Sequence, residues 1–264
     1  KIFDDVMGLQ VTSFEKPESW GLPHIIYIVK FNDHNDLVLR ANLGFSKPEV
    51  ALMTEKILTE KIAKTGIKTN KILYVDISRK KYPFDFQIQE KFGGLDPEQI
   101  FNGTKDNYDK ISFQLGENIA KMSEIKFDLF GRFDEALVQK GFLKGTKKNN
   151  YEYIFTELEK SIEIITEAKI IDQNKAQKIL GLFDAYQKII NVSEGSLVHY
   201  DLADHNLRYE PETYNLNFIF DWESAVSSDP LLDIASAPTW TTIYEREQKL
   251  LEGYRSIKKF PDDY

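Results

Sequence analysis

His199-Tyr200-Asp201-Leu202-Ala203-Asp204-His205-Asn206, followed by Ile219-Phe220-Asp221-Trp222-Glu223, is the stretch on which the reading of this chain turns. Taken alone, an Asp followed five residues later by an Asn carries little, because both are ordinary turn and cap residues. The order of the parts carries more. His199 stands two residues before Asp201, a strand-like run ends at Asp221, and Asp229-Pro230-Leu231-Leu232-Asp233-Ile234-Ala235 follows. Chance assembly of that order and spacing is improbable. Val198 and the run 216–220 read as short buried strands, which would bring Asp201, Asn206 and Asp221 to one end of a single small ribbon.

Such a set has chemistry. Asp201 can accept the proton of a hydroxyl or aim that hydroxyl along a line of attack. Asn206 offers a neutral carbonyl oxygen and Asp221 a carboxylate, the hard oxygen donors that Mg²⁺ prefers. Phosphoryl transfer asks for these parts: a group orienting the acceptor, metal neutralising phosphate charge, and donors holding the nucleotide.

Upstream, the first ninety residues read as strands with one helix. Runs 11–15, 25–31, 37–40, 72–77 and 84–89 are rich in β-branched and aromatic residues. A helix is expected from about Ser46, with Pro48 in its first turn and Val50, Met53, Ile57, Leu58 and Ile62 at helical spacing, closed by Gly66. Phe92-Gly93-Gly94-Leu95-Asp96-Pro97 is the expected joint, and beyond it the pattern turns mainly helical. Ile154, Phe155, Leu158, Ile162 and Ile165 share one helix face, and Ala176, Ile179, Leu180, Phe183 and Ile190 another, with Asp172 near its start. Residues 145–150 read as a polar loop and 244–254 as a further helix. A sheet-first lobe and a helical lobe predict a cleft suited to a ligand.

At this point the sequence resembles the aminoglycoside phosphotransferase family, the antibiotic and small-molecule kinases related to protein kinases. Its catalytic loop reads His-Gly-Asp with Asn at the same interval, then a strand ending Ile-Asp-Trp, then an Asp-Pro-x-x-Asp helix start. The Asp-Trp-Glu element is most similar to the hygromycin and macrolide kinase branches. The resemblance implies an α+β, protein-kinase-like fold of two lobes. Residues 1–91 would form an N-terminal nucleotide-binding lobe with an antiparallel sheet and one helix, and residues 92–264 a larger, mainly helical catalytic and substrate-binding lobe.

The same resemblance assigns roles. Asp201 would be the catalytic carboxylate, Asn206 and Asp221 the Mg²⁺ ligands, Asp233 an anchor for the catalytic loop and His199 its prop. Arg40, ending Leu37-Val38-Leu39-Arg40, would contact the phosphates of ATP or GTP, and guanidinium suits phosphate because it can bind in a bidentate fashion. Its ion-pair partner would be Glu55, with Glu49 as a competitor. Trp20 and Gly21, within Ser19-Trp20-Gly21-Leu22, hold the place of the phosphate-covering loop. Main-chain groups of about Gln89 and Lys91 would meet the purine edge, so side chains there do not choose between adenine and guanine. Ser123 takes the place of a family histidine, and Tyr200 stands where the family usually has glycine, which bears on the backbone path and the acceptor-site shape.

Other residues point elsewhere or nowhere. The structural role suits His199, an exposed loop suits His205, and His24 and His34 fall at a loop edge and in a turn. No His/Asp cluster has zinc-like spacing and no G-x-x-x-x-G-K-[ST] loop occurs. Asp229 follows Asp221 too closely to leave an activation segment, which argues against a protein kinase. Asp204 and Glu223 are candidates to meet the acceptor, and Glu223 alternatively a second metal. A metabolic kinase for choline, homoserine, a sugar or a macrolide stays open, as does an inactive nucleotide-binding pseudokinase.

The bulk numbers set outer limits. The chain has 264 residues, 34 basic against 42 acidic, and a net charge of −8. That balance argues against a nucleic-acid partner and tilts an acceptor toward a cationic one, such as an aminoglycoside. With no cysteine, disulfides and thiolate chemistry are excluded. Apolar runs are strand-length, so no membrane partner is expected, and the chain reads as cytoplasmic. Composition says nothing about oligomeric state.

Overall fold

A computed structural model describes residues 1–17, 24–42 and 50–260. The chain divides into two compact units, one of Lys1–Asn102 with Asp204–Glu223 and one of Gly103–Ala203 with Ser224–Tyr264.

The first unit opens with a short helix, α1 (Ile2–Met7), which the strand-like reading of the N-terminal ninety residues did not anticipate. Strands β1 (Val11–Glu15), β2 (His24–Phe31) and β3 (Leu37–Asn42) follow, then helix α2 (Val50–Ile62) and strands β4 (Ile72–Asp76) and β5 (Asp85–Glu90). The five strands form an antiparallel sheet in the order β1-β2-β3-β5-β4. Side chains alternate across a strand, so one face of this sheet carries Val29, Leu37, Ala41, Phe86 and Ile88, a buried core that includes Phe3 of α1. The other face carries His24, Arg40, Asn42, Gln87 and Gln89, because register pairs His24 with Asn42, Arg40 with Gln87 and Val38 with Gln89. Both faces are thus covered, one with hydrocarbon and one with polar groups. The expected start of α2, with Ser46, Pro48 and Glu49, lies outside the described residues; Gly66 does take the left-handed conformation (φ 81°) that closes the following turn.

The second unit begins with α3 (Lys105–Met122), whose start is fixed by a reciprocal capping box between Thr104 and Asn107. Next come β6 (Lys126–Phe127), β7 (Phe130–Phe133), the one-turn α4 (Glu135–Val138) and β8 (Gly145–Lys147). Residues 145–147, expected as polar loop, are therefore a strand: β8 pairs with β7, and a polar edge strand leaves no apolar signature to read. Helix α5 (Asn150–Glu167) starts at the cap Asn149, and α6 (Gln173–Ala185) at Asp172, whose side chain accepts the Lys175 N–H at 2.8 Å. The apolar face read through Ile190 is broken at Tyr186 into α6 and a one-turn α7 (Gln187–Ile190). Strand β9 (Gly195–Val198) then leads into the loop carrying His199, Tyr200 and Asp201.

From Asp204 the chain belongs to the first unit, as the hairpin β10 (Leu207–Glu210) and β11 (Asn215–Ile219). It returns to the second unit as β12 (Val226–Ser228), α8 (Leu231–Ser236) and α9 (Glu247–Ile257). The second unit's sheet runs β6-β9-β12-β7-β8. This corrects the expectation of a single ribbon: β9 pairs with β6 and β12, whereas β11 pairs with β10. Asn206 and Asp221 share a hairpin end; Asp201 follows a strand of the other sheet. The architecture is α+β and kinase-like, an antiparallel sheet with one long helix followed by a mainly helical region.

Candidate active site

In the first unit, the polar face of the sheet gathers charge. Arg40 is buried, and its Nη1 donates to Glu55 Oε2 at 3.0 Å. Its Nη2 donates to Asp221 Oδ1 at 3.1 Å and to Glu223 Oε2 at 2.8 Å. Burial works against the guanidinium charge, but the three carboxylates more than offset it and raise the Arg40 pKa further, so it stays a cation. Glu55 is held from α2 and receives two more donors, Gln87 Nε2 at 3.1 Å and Asn70 Nδ2 at 3.2 Å. Burial pushes the Glu55 carboxyl up, and the Arg40 charge and these amides pull the other way.

The hairpin supplies the other half of this cluster. Phe220 N–H donates to Asn206 O at 3.2 Å, and Leu207 is paired with Ile219, so residues 206 and 221 stand at one end of the β10–β11 ladder. Trp222 is fully buried and its Nε1 donates to Thr69 Oγ1 at 2.8 Å, which pins the turn carrying Asp221 and Glu223. Asp221 adopts the left-handed region (φ 65°), which a short polar side chain tolerates better than most. Asn206 is buried in the preceding turn.

Among the described residues no three His, Cys, Asp or Glu side chains form a metal cluster of their own. Magnesium does not ask for one, since it commonly takes one or two protein oxygens and completes its shell with phosphate and water. Asn206 and Asp221 stand at the same hairpin end, and an amide and a carboxylate, the latter 30 % exposed and paired with Arg40, are residue types that fit that donor set.

Glu223 Oε2 accepts from His24 Nε2 at 2.8 Å as well as from Arg40. Burial by itself would raise its carboxyl, yet the His24 hydrogen bond and the Arg40 charge hold it below the usual value. His24 was read as a loop-edge residue; it is the first residue of β2, and the strand alternation that places it on the face of Arg40 was the only signal available. Asp204, a candidate acceptor contact, is fully buried in the turn before Asn206. Gln89 lies in β5 with its side chain accepting from Asn70 at 2.8 Å, while Lys91 follows the strand and its Nζ pairs with Asp36 at 3.2 Å. Just beyond, Leu95 and Tyr209 exchange backbone hydrogen bonds of 2.9 and 3.0 Å, tying the segment after β5 to the hairpin. Trp20 and Gly21 lie outside the described residues.

In the second unit, the loop carrying His199, Tyr200 and Asp201 hangs on Asp233. Its two carboxylate oxygens accept the N–H groups of His199, at 2.8 Å, and Tyr200, at 2.9 Å. Asp201 N–H donates to His199 Nδ1 at 3.3 Å, so the buried imidazole supports the backbone that carries Asp201. Arg246 had no signal in the sequence beyond being one of many charges. It is 1 % exposed, donating to Leu202 O at 3.2 Å and to Tyr108 Oη at 2.6 Å. The loop is thereby held from two sides by buried charged groups. Tyr200 adopts φ 71°, a left-handed backbone that explains why glycine suits this position. Ser123, at the end of α3, donates to Ala120 O at 2.6 Å and accepts from Lys258 Nζ at 2.9 Å, so it serves as a helix-end group.

The kinase-like α+β fold carries an Asp-anchored loop and an arginine–carboxylate cluster. The sequence matches the phosphotransferase enzyme family (APH) over residues 26–256, and the chain belongs to that family. It is an enzyme that transfers phosphate to an alcohol group of a small molecule. No curated protein matches it by sequence. Solved structures share its fold at low identity. Apo macrolide 2'-phosphotransferase MphH from Brachybacterium faecium is 12% identical with a TM-score of 0.68, over 98% of this chain and 83% of that one. The GDP and kanamycin complex of APH(2")-IIia is 16% identical at 0.68, over 96% and 80%. A thermostable mutant of the aminoglycoside phosphotransferase APH(4)-Ia, in ternary complex with AMP-PNP and hygromycin B, is 13% identical at 0.64, over 89% and 74%. Among the described residues no helix is long and apolar enough to cross a membrane.

Proposed function

We propose that the chain moves the γ-phosphate of ATP or GTP to a hydroxyl of an aminoglycoside-type antibiotic, a reaction conferring resistance. The observation that carries the reading is the cluster in which Arg40 meets Asp221 and Glu55, with Asn206 at the same hairpin end. It concentrates a phosphate-binding cation beside two oxygen donors suited to Mg²⁺. Asn206 and Asp221 would hold the ion, which when bound neutralises phosphate charge. Arg40, kept in place by Glu55, would grip the α- and β-phosphates; backbone groups near Gln89 and Lys91 would bind the purine; Trp20 and Gly21 would cover the phosphates. Asp201, on a loop fixed by Asp233, His199 and Arg246, would orient the acceptor hydroxyl and take its proton at a carboxylate oxygen. The bound complexes of kanamycin and hygromycin B belong to similar folds, and with the −8 net charge they favour a cationic acceptor. Macrolide kinases share the fold too, so the acceptor panel must include both classes.

The decisive experiment compares wild type with Asp201→Asn. Nucleotide consumption is followed across aminoglycosides, macrolides, choline, homoserine and sugars, with MgATP and MgGTP binding measured in parallel. Turnover should collapse by orders of magnitude while nucleotide binding stays nearly intact. Normal turnover in the variant would remove Asp201 from its role.

A further inference from the structure

We propose that His24 and Glu223 are positioning residues, a brace that holds the Arg40 guanidinium in place for the nucleotide's phosphates. The inference rests on the reading of Arg40 as the phosphate-gripping cation, and adds to it two residues with no direct part in that grip.

The geometry runs in one line. His24 Nε2 lies 2.8 Å from Glu223 Oε2, and the same oxygen accepts from Arg40 Nη2 at 2.8 Å. A guanidinium has five N–H donors, and the bonds to Glu55, Asp221 and Glu223 engage three of them. Two donors remain for oxyanions while the plane is held at both ends. Asp221 is also a candidate metal ligand, so its hold on Nη2 competes with a second cation. Glu223, read here as a positioning residue in place of an acceptor or second-metal contact, keeps that end of the guanidinium anchored.

Glu223 is poorly suited to do this unaided. It lies in a single tight turn, Trp222–Ser224, with its side chain 27% exposed, where a long carboxylate keeps rotamer freedom that must be lost to hold one geometry. His24 supplies the constraint. Its side chain is 7% exposed, and it sits on a strand of the sheet that carries Arg40, on the same face. Its Nδ1 is buried without a hydrogen-bond partner among the described residues, so no second bond competes for the ring's orientation. Rigid strand residue, flexible carboxylate and guanidinium thus form a chain of support, the arrangement that keeps a binding group within a fraction of an ångström of its working position.

The test uses the full chain and calorimetric titration with MgATP and with MgGTP, with melting temperature recorded for each variant. His24→Ala should weaken binding of the nucleotide that wild type prefers by roughly tenfold, the loss expected when a charge-assisted hydrogen bond is removed. His24→Gln, whose amide N–H reaches about as far as Nε2, should restore most of it. Should His24→Ala not fold, Glu223→Ala reads the brace from its other end and should show the same weakening, with no further loss on adding His24→Gln. Unchanged affinity in His24→Ala overturns the brace, as does a loss that His24→Gln fails to restore or a fall in melting temperature at wild-type affinity. Wild type that binds neither nucleotide would overturn the phosphate-binding reading itself, and the brace with it. Wild-type binding with an indifferent His24 overturns the brace alone.

Discussion

At the scale of single residues, the candidate catalytic loop has one strained position and hangs from one buried acid of α8. Tyr200 holds a left-handed backbone that costs an L side chain about 1–2 kcal/mol, and it does so next to Asp201 with its own ring 37% exposed. Tyr200→Gly removes the strain and little packing. It should stabilise the protein by up to about 1 kcal/mol, seen as a rise of about 2–4 °C in thermal denaturation. Asp233 is the buried acid. Burial pushes its carboxyl up to about 7, against the N–H bonds from His199 and Tyr200, which favour the charged form. A folded-state value above the unfolded 3.8 means the folded state holds the proton more tightly. The stability this contributes is fully present below pH 3.8 and is lost as pH rises toward about 7. The melting temperature of wild type relative to Asp233→Asn should therefore fall across that window and hold level above it, as a pH series of melts would show.

At the scale of elements, α3 and α9 approach so closely that each presents a glycine to the other. A Cβ on Gly116 would lie 2.1 Å from Leu250 O, and one on Gly253 would lie 1.9 Å from Phe113 O. Neither neighbour is a flexible side chain; both are helix backbone. Gly253→Ala must push the helices apart, and overpacking of this kind should cost about 3 kcal/mol or more despite the better helix propensity of alanine. Chemical denaturation with an unchanged m-value would measure it. The polar character of β8 and the break between α6 and α7 show the limit of periodicity at this scale. An edge strand of Gly-Thr-Lys has no apolar alternation, and a helical face continues past a one-residue interruption without a change in its spacing.

For the whole molecule, nucleotide binding should register as stability. With MgATP or MgGTP at a hundred times its dissociation constant, the protein should gain about 2.7 kcal/mol, and chelating the metal should remove most of that gain if Asn206 and Asp221 hold the ion. A thermal shift indifferent to chelator would separate nucleotide binding from those two residues.

By itself, the sequence determined the class of fold and named a candidate for the catalytic loop. Strands and helices leave periodic marks, and the interval from His199 through Asp201 and Asn206 to Asp221 and Asp233 is a property of the chain's order alone. Beyond the pairing with Glu55 that the resemblance implied, tertiary structure alone decided which groups Arg40 meets. Glu55 is 15 residues away in sequence and Glu223 is 183, and His24 reaches Glu223 across 199. It also decided that Arg246 is a buried support for the loop, that Asp204 is sealed inside a turn, and that β9 and the β10–β11 hairpin belong to different sheets. The physical reason is common to all of these. Periodicity records the face on which a side chain stands, whereas the partner of a polar group is chosen by packing among elements far apart in the chain. A lone buried charge or histidine has no repeat by which to announce it.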